Sequence, residues 1–439
     1  MSTLKFSFYN IYFDIDNGHY IYNTLSTALA QLDDRTFDAV KKNDMTLIDK
    51  QFIEEMLKEH FFVEPDVNEQ DEYLYFYNRT RFGKSSKSLA VNFIPSYNCN
   101  LACPYCMQGL NKPNNQIEIK DIDKILSFTS KTVDYSLSAD VAITKIYAHL
   151  YGGEPMLQKQ ALQYFCDGLK SIAEKYKCEA IYSMTSNMTI LDDDMIKLIQ
   201  KYNIHVQISV DGTKDQHDKR RIFPNGGGTY DTILKNLKKL QEAGLKDCVV
   251  LRLNIDKDNL ANAEKIYNEV HEYSSDVYFG FLDTFKGYND HFSSQCVSNE
   301  IYPEIVTKTF NDIYQKYGQP AATSFGKMSP CSINSENKYF IDPFLNVYKC
   351  EMLLNQTNNK IGFIDNDGQL VKTSGFYRQM NRTPQLFSEC MTCKLLPLCA
   401  GGCAGKAFFE DGSIDKPYCM FTEQSLIFYL KDYIKRATT

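Results

Sequence analysis

Three cysteines in the stretch Tyr97-Asn98-Cys99-Asn100-Leu101-Ala102-Cys103-Pro104-Tyr105-Cys106 constrain this chain more than any other feature. They stand at spacing C-x3-C-x2-C, directly after the strand-like run Leu89–Ile94. Thiolates this close in sequence can converge on one metal centre, and buried structural cysteines rarely cluster so tightly. On a [4Fe–4S] cluster, three cysteines hold three irons and leave the fourth open to a small molecule.

The chain has 439 residues, 14 of them cysteine. Three lie in the motif, and seven more fall between Cys331 and Cys419. No run of about 18 apolar residues exists to span a membrane. The start Met1–Phe6 has no basic head followed by an apolar core, so no secretion signal is expected. A cytoplasmic location follows, where clustered cysteines are metal ligands more readily than disulfides. The net charge of −7 argues against a basic nucleic-acid-binding surface. Of the scattered cysteines, Cys166 shares a helical stripe with Leu162, Leu169 and Ile172 and is expected in the core. Cys178 and Cys248 open strand-like runs and are expected to be structural, while Cys296 sits in a polar loop with no assigned role.

Residues 1–85 read as a small α+β unit. Phe6–Phe13 and Tyr20–Tyr22 are strand-like about the turn Asp16-Asn17-Gly18. Helical patterns follow over Leu25–Leu32, with Asn23 or Thr24 as cap, then Phe37–Lys41 and Ile48–Lys58. The acidic stretch Asp66–Glu72 and the segment Arg81–Lys87 read as surface connections. From Ser88 the pattern changes to strands alternating with helices. Six strand-like runs begin with Leu89–Ile94 and end with Val277–Leu282. Such β/α repeats predict a parallel sheet, doubly wound or a partial barrel, with chemistry at the carboxyl ends of the strands. From about Ser324 a cysteine-rich, loop-rich region begins, in which metal clusters would substitute for a large core. Phe421–Tyr433 closes the chain as an amphipathic helix with Leu426, Ile427 and Leu430 inward.

With Tyr105 as its aromatic, the cysteine motif resembles that of the radical S-adenosylmethionine (SAM) enzymes, C-x3-C-x-aromatic-C. The resemblance implies that Cys99, Cys103 and Cys106 hold a [4Fe–4S] cluster whose fourth iron is chelated by SAM. Reductive cleavage would then release a 5′-deoxyadenosyl radical. Tyr151-Gly152-Gly153-Glu154-Pro155, 46 residues on, is similar to the family's amine-binding motif. Two glycines there let backbone approach a ligand, and Glu154 could bind an amine. Thr185-Ser186-Asn187 stands where the family often has a polar strand end. Ser209-Val210-Asp211-Gly212, followed by His217-Asp218 and Arg221, is similar to a block of sulfatase maturases and peptide-modifying enzymes. By that resemblance Ser209 faces the ribose and Arg221 the carboxylate of SAM, an anion that a guanidinium grips in bidentate fashion. The alternative for Arg221 is a solvated basic run with Lys219 and Arg220. Gly226-Gly227-Gly228 reads as a flexible turn rather than a phosphate cradle.

The later cysteines are similar to the SPASM extension, which binds two auxiliary [4Fe–4S] clusters. The resemblance assigns Cys390, Cys393, Cys399 and Cys419 to one, and Cys331, Cys350 and Cys403 to the other. It implies three [4Fe–4S] clusters in all. Two departures stand out: position 345 is Leu where the pattern has glycine, and Gly326–Pro330 lacks an upstream cysteine. The open ligand position on the first auxiliary cluster, that of Cys331, Cys350 and Cys403, could take substrate, water or Cys296. A zinc ribbon at Cys390, Cys393, Cys399 and Cys403 is the alternative. Glu351 stands where sulfatase maturases carry an aspartate base; the alternative is a surface carboxylate.

The expected fold is therefore α/β: a partial (β/α)6 barrel over 86–322, preceded by a winged-helix-like α+β domain resembling leader-peptide recognition domains and followed by a SPASM domain over 323–439. The expected activity is that of a peptide maturase that installs a C–C or thioether crosslink in a ribosomally made precursor peptide with a leader sequence. Reduced flavodoxin or ferredoxin would supply the electron, and neither nucleic acid nor membrane is an expected partner. Two alternatives stand beside it, an anaerobic sulfatase-maturating enzyme and a non-catalytic iron–sulfur or zinc module.

Overall fold

The computed structural model describes residues 4–16, 18–42, 44, 46, 48–82, 87–109, 113, 115–139, 142–282, 292–298, 300–321, 331–419 and 422–437. Residues Asn17, Phe421 and 326–330, which entered the expectations above, lie outside them. The chain forms two compact units, each discontinuous in sequence. Met1–Gly83, Ser298–Cys331 and Arg382–Thr439 make the first; Lys84–Val297 and Ser332–Asn381 make the second.

In the first unit, β1 (Lys5–Phe6) pairs antiparallel with β5 (Phe62–Val63). The aromatic runs form β2 (Asn10–Ile15) and β3 (Gly18–Asn23), and β4 (Leu29–Leu32) completes an antiparallel sheet in the order β2-β3-β4. A helix over Leu25–Leu32 was the wrong expectation. Asn23 caps no helix; its Oδ1 accepts from the amides of Leu25 and Ser26, both at 3.0 Å, and closes a turn. The chain then returns along the free edge of β3, pairing from Tyr22↔Leu29 to His19↔Leu32. Helices α1 (Asp34–Lys41) and α2 (Lys50–Lys58) are capped by Asp33 and Asp49, whose carboxylates satisfy first-turn amides.

The acidic stretch read as a surface connection leads instead into α3 (Glu69–Phe82). Glu69 is buried and accepts from the Ser7 hydroxyl and, at 2.9 Å, from the amide of Phe8. Charge alone does not mark a surface loop when such donors wait for the carboxylate. The C-terminal helix, Glu423–Ala437, buries Leu426 and Leu430 in a cluster with Ile11, Phe13, Ile15, Tyr22, Leu395 and Leu398. The cysteine-rich region therefore shares an apolar core with the start of the chain, beyond whatever metal would contribute.

The second unit is an α/β fold about a ten-stranded sheet. Strands β6 (Ser88–Phe93), β7 (Lys145–Leu150), β8 (Glu179–Ser186), β9 (His205–Val210), β10 (Val249–Ile255) and β11 (Asp276–Phe281) pair in parallel, each beside its predecessor. Strand β12 (Lys338–Ile341) adds in parallel to the outer edge of β6. Strands β13 (Asn346–Tyr348), β14 (Gly362–Ile364) and β15 (Leu370–Lys372) continue antiparallel.

Helices α4 (Ile119–Ser138), α5 (Lys159–Tyr176), α6 (Asp193–Tyr202), α8 (Tyr230–Glu242) and α9 (Ala263–Val270) bury one face each, and a single turn, α7 (Lys214–His217), follows β9. Cys166 is fully buried on α5, as its stripe predicts. Leu345 has φ of 62°, the left-handed region that favours glycine. The family's glycine at that place therefore answers a turn this chain still makes.

Asn23 carries the largest polar commitment of the first unit. Its Nδ2 donates to Ser7 Oγ, to Asn10 Oδ1 and to the carbonyl of His60, at 2.8–2.9 Å. Asn23→Ala should remove the donor from Asn10 Oδ1 and the His60 carbonyl, while Ser7 keeps Glu69 and the Tyr9 amide, and lower unfolding stability by about 1–3 kcal/mol, read as a lower thermal transition by circular dichroism.

Candidate active site

Parallel pairing places the carboxyl ends of β6 to β11 along one rim, and the loops that leave them enclose a cavity of about 710 Å³. That lies within the ~300–1,000 Å³ of small-molecule sites. Its wall takes residues from all six strands or the loops after them, which a flat sheet could not achieve; the parallel strands curve as in a partial barrel. Cys99, Cys103 and Cys106 all line it.

The cysteine loop is held by its neighbours. Ala102 N donates to Ile222 O at 2.8 Å, and Asn187 Nδ2 reaches Cys99 Sγ at 3.8 Å. Gly153 N and Glu154 N donate to Ser96 O and Asn98 O, at 3.2 and 2.8 Å. A Cβ on Gly153 would stand 2.1 Å from Asn98 O, and one on Gly152, at φ of 138°, 2.4 Å from Ser96 O. The glycine pair thus lets the second strand's loop lie directly against the cysteine loop, while both glycines also line the cavity.

Glu154 is not among the lining residues. Its buried carboxylate accepts from Met156 N (3.0 Å), Ser186 Oγ (2.9 Å) and Asn187 N (2.7 Å). Burial raises its pKa, and these donors, with Arg221, oppose the rise. Its carboxylate thus ties the loop after β7 to the end of β8 rather than standing open to an amine. Ser186 and Ser209 both line the cavity.

Arg221 also lines it and is not part of a solvated run. Its neighbour Arg220 is buried in an ion pair with Asp256 at 2.6 Å, whereas Lys219 is exposed. Arg221 Nη1 donates to the Tyr105 hydroxyl at 2.9 Å, and that hydroxyl bonds Asp211. Asp211, fully buried, accepts from Asn254 Nδ2 at 2.7 Å. No site role was expected for it or for Asn254, although Asp211 lies in the Ser-x-Asp-Gly block; the aspartate is the signal that could have found the pair.

His217 underlies this arrangement. Its Nδ1 accepts from Asp211 N (3.2 Å), Nε2 faces Thr229 Oγ1 (3.0 Å), and Thr229 Oγ1 donates to Arg221 O (2.7 Å). That network requires the neutral imidazole with its proton on Nε2. Burial holds its pKa down, to about 4. The three glycines nearby form a bonded turn, with Phe223 N donating to Gly227 O at 2.8 Å and Ile222 bridging Gly228.

The donor set fits an iron–sulfur cluster. No cysteine is in a disulfide. Burial pushes the Cys103 thiol up to about 11, so its thiolate needs a cation such as iron beside it. Among the described residues no three of His, Cys, Asp and Glu are gathered as ligands of one metal ion.

In the first unit, burial raises the Cys390 thiol to about 12, and Cys399, Cys419 and Cys393 all act on it. Those four are the set expected for one auxiliary cluster. Of the other expected set, Cys331 and Cys403 both act on buried Arg382. Glu351 is exposed at the cavity wall, and Cys296 does not line it.

Residues 93–270 match the radical SAM superfamily. The chain carries a radical SAM domain. Such a domain implies a [4Fe–4S] cluster and SAM. A cysteine-type anaerobic sulfatase-maturating enzyme of Clostridium novyi is 24% identical over 76% of this chain and 93% of its own. The radical SAM cyclopropyl synthase TigE of Paramaledivibacter caminithermalis is 20% identical over 92% of this chain and 90% of its own. Among solved structures, Streptococcus suis SuiB bound to precursor peptide SuiA shares the fold, at TM-score 0.53 and 14% identity over 94% of this chain and 98% of its own.

Gly153→Ala should push the cysteine loop away without unfolding the sheet, since overpacking costs ~1–3 kcal/mol. The expected result is SAM affinity lowered roughly tenfold or more by calorimetry, with unchanged far-UV circular dichroism. His217 sets a pH dependence. Its folded pKa, about 4, lies below the unfolded 6.5, so the unfolded state binds more protons and stability falls as pH drops. Between pH 7 and 5.5 this contributes a loss of about 1 kcal/mol. Denaturant titrations of His217→Gln should show that much less dependence over the same interval.

Proposed function

We propose that this protein is a radical SAM peptide maturase that installs a C–C or thioether crosslink in a ribosomally made precursor peptide. One observation carries the reading: a single chamber joins the three cluster cysteines to a polar wall that continues past Arg221 to Arg252 and Glu351. The likeness to SuiB and TigE over more than nine-tenths of the chain includes the N-terminal region. The sulfatase-maturase match covers 76%. Residues 1–85 would recognise the leader peptide.

With cluster and SAM bound, the chemistry supplied is a 5′-deoxyadenosyl radical that abstracts hydrogen. The chain's residues do the rest. Cys99, Cys103 and Cys106 hold the irons, with Tyr105 fixed by Asp211. Gly152 and Gly153 present backbone to the SAM amine, and Ser186 and Ser209 face its polar groups. Arg221 holds its carboxylate. Glu351, which also lines the chamber, takes the substrate proton. Cys390, Cys393, Cys399 and Cys419 would hold an auxiliary cluster, which would supply redox chemistry. A second reading, sulfatase maturation, rests on the 24% relative.

Anaerobic reconstitution should give about twelve irons per chain if three [4Fe–4S] clusters form, and reduction with SAM should release 5′-deoxyadenosine. Cys99→Ala should abolish release and lower the iron content by about four. Loss of two hydrogens from a peptide encoded beside the gene would establish a crosslink. Loss of sulfur and two hydrogens with gain of one oxygen at a cysteine of a sulfatase peptide would favour the second reading. No 5′-deoxyadenosine from an intact cluster would end both.

A further inference from the structure

One charged group in the chamber makes no ion pair among the described residues. Arg252 lies on β10, where its register partners are Ser209 on β9 and Tyr278 on β11. It lines the cavity with Gln207 and Ser209. The neighbouring strand makes room for it: a Cβ on Gly280 would stand 2.7 Å from Arg252 Nε. That Nε is shielded from solvent and has no hydrogen-bond partner. The guanidinium bonds the Tyr278 hydroxyl. Tyr278 in turn donates to Gln207 Oε1 at 2.8 Å. No carboxylate among the described residues lies within ion-pair distance of Arg252. Arg220 and Arg221, on the same rim, lie near Asp256 and Asp211.

Arg252 is half-buried, with a shielded Nε that no group satisfies, and a carboxylate is the ligand whose geometry a guanidinium matches in bidentate fashion. SAM brings a carboxylate, but Arg221 stands at the cluster end, where it acts on Cys103. Arg252 acts instead on Tyr151 and Tyr278. Glu351 acts on the same two tyrosines. Arg252 and Glu351 therefore charge one part of the chamber with opposite signs without pairing. An anion seated on Arg252 would leave Glu351 open to its partner atoms.

We propose that Arg252, flanked by Tyr278 and Gln207, is a carboxylate-binding subsite, and that the peptide acted on presents an aspartate or glutamate side chain there. This rests on the radical SAM peptide-maturase reading and names the substrate chemistry it would take. Two parallel N–H···O bonds to the carboxylate fix its orientation, so the neighbouring carbons of the peptide are held toward the cluster end.

The test uses full-length reconstituted enzyme with SAM bound and three probes: Ac-Gly-Asp-Gly-NH2, Ac-Gly-Asn-Gly-NH2 and Ac-Gly-Gly-Gly-OH. Calorimetry should show the aspartyl probe binding roughly tenfold or more tighter than the asparaginyl one, the scale of a charge-assisted bidentate pair. Arg252→Gln should erase that preference and Arg252→Lys restore part of it, with SAM affinity unchanged in both. Gly280→Ala, which crowds the guanidinium but keeps its charge, should also reduce the preference and serves if Arg252→Gln does not fold. Equal binding of the first two probes overturns the proposal, as does failure of all three to bind. Preference for the free C-terminus overturns the side-chain assignment. Loss of SAM binding in Arg252→Gln would make Arg252 a SAM ligand and overturn it too. Release of 5′-deoxyadenosine by the wild type is measured separately. If that fails while the aspartyl preference holds, the maturase reading falls and the carboxylate subsite stands.

Discussion

The carboxylate of Glu154 is the interaction on which the rest of the site depends. Buried at the end of the second parallel strand, it satisfies the Met156 amide, the Ser186 hydroxyl and the Asn187 amide. Its own amide reaches Asn98 in the cysteine loop. Three strand ends are thereby joined through one residue. Burying a charge costs several kcal/mol unless it is fully hydrogen-bonded, and the three donors provide that compensation. The two glycines before it complete the junction, because any side chain there would collide with backbone carbonyls of the cysteine loop.

A second buried polar group does comparable work at the fourth strand. Neutral His217 connects the amide of Asp211, through Thr229, to the carbonyl of Arg221. Asp211 then fixes Tyr105, and Tyr105 receives Arg221. The aromatic of the cysteine motif and the arginine of the fourth strand are thus oriented by one network. Two cations then meet different surroundings. Arg221, in the segment after β9 and α7, faces Asp211 across Tyr105, whereas Arg252 on β10 lines the chamber with no carboxylate of the described residues at ion-pair distance.

Much of this was legible in order along the chain. The β/α repeat from Ser88 follows from alternating apolar runs and helical stripes, and the cavity forms where such a repeat puts its loops. The parallel strands fall within a residue or two of their expected positions. What failed was local. Leu25–Leu32 has helical spacing, yet Asn23 turns the chain and β3 offers an unpaired edge. Asp66–Glu72 is acidic, yet Glu69 meets Ser7 and Phe8. In both cases a partner about ten to sixty residues away overrode a local pattern.

The amino-acid sequence by itself determined the class of chemistry, because three cysteines at C-x3-C-x2-C after a strand admit few other uses. It also determined the order of the sheet, since short connections through helices pair neighbours in parallel. Only the tertiary structure decided which polar residues face the chamber. Glu154 turned inward to its own chain, and Asp211 and Asn254 joined the site without a motif to announce their roles. Arg252 and Glu351 came to line the same chamber. The physical reason is that orientation and pairing depend on register across strands, and a sequence read in one dimension carries residue types but not which of them meet.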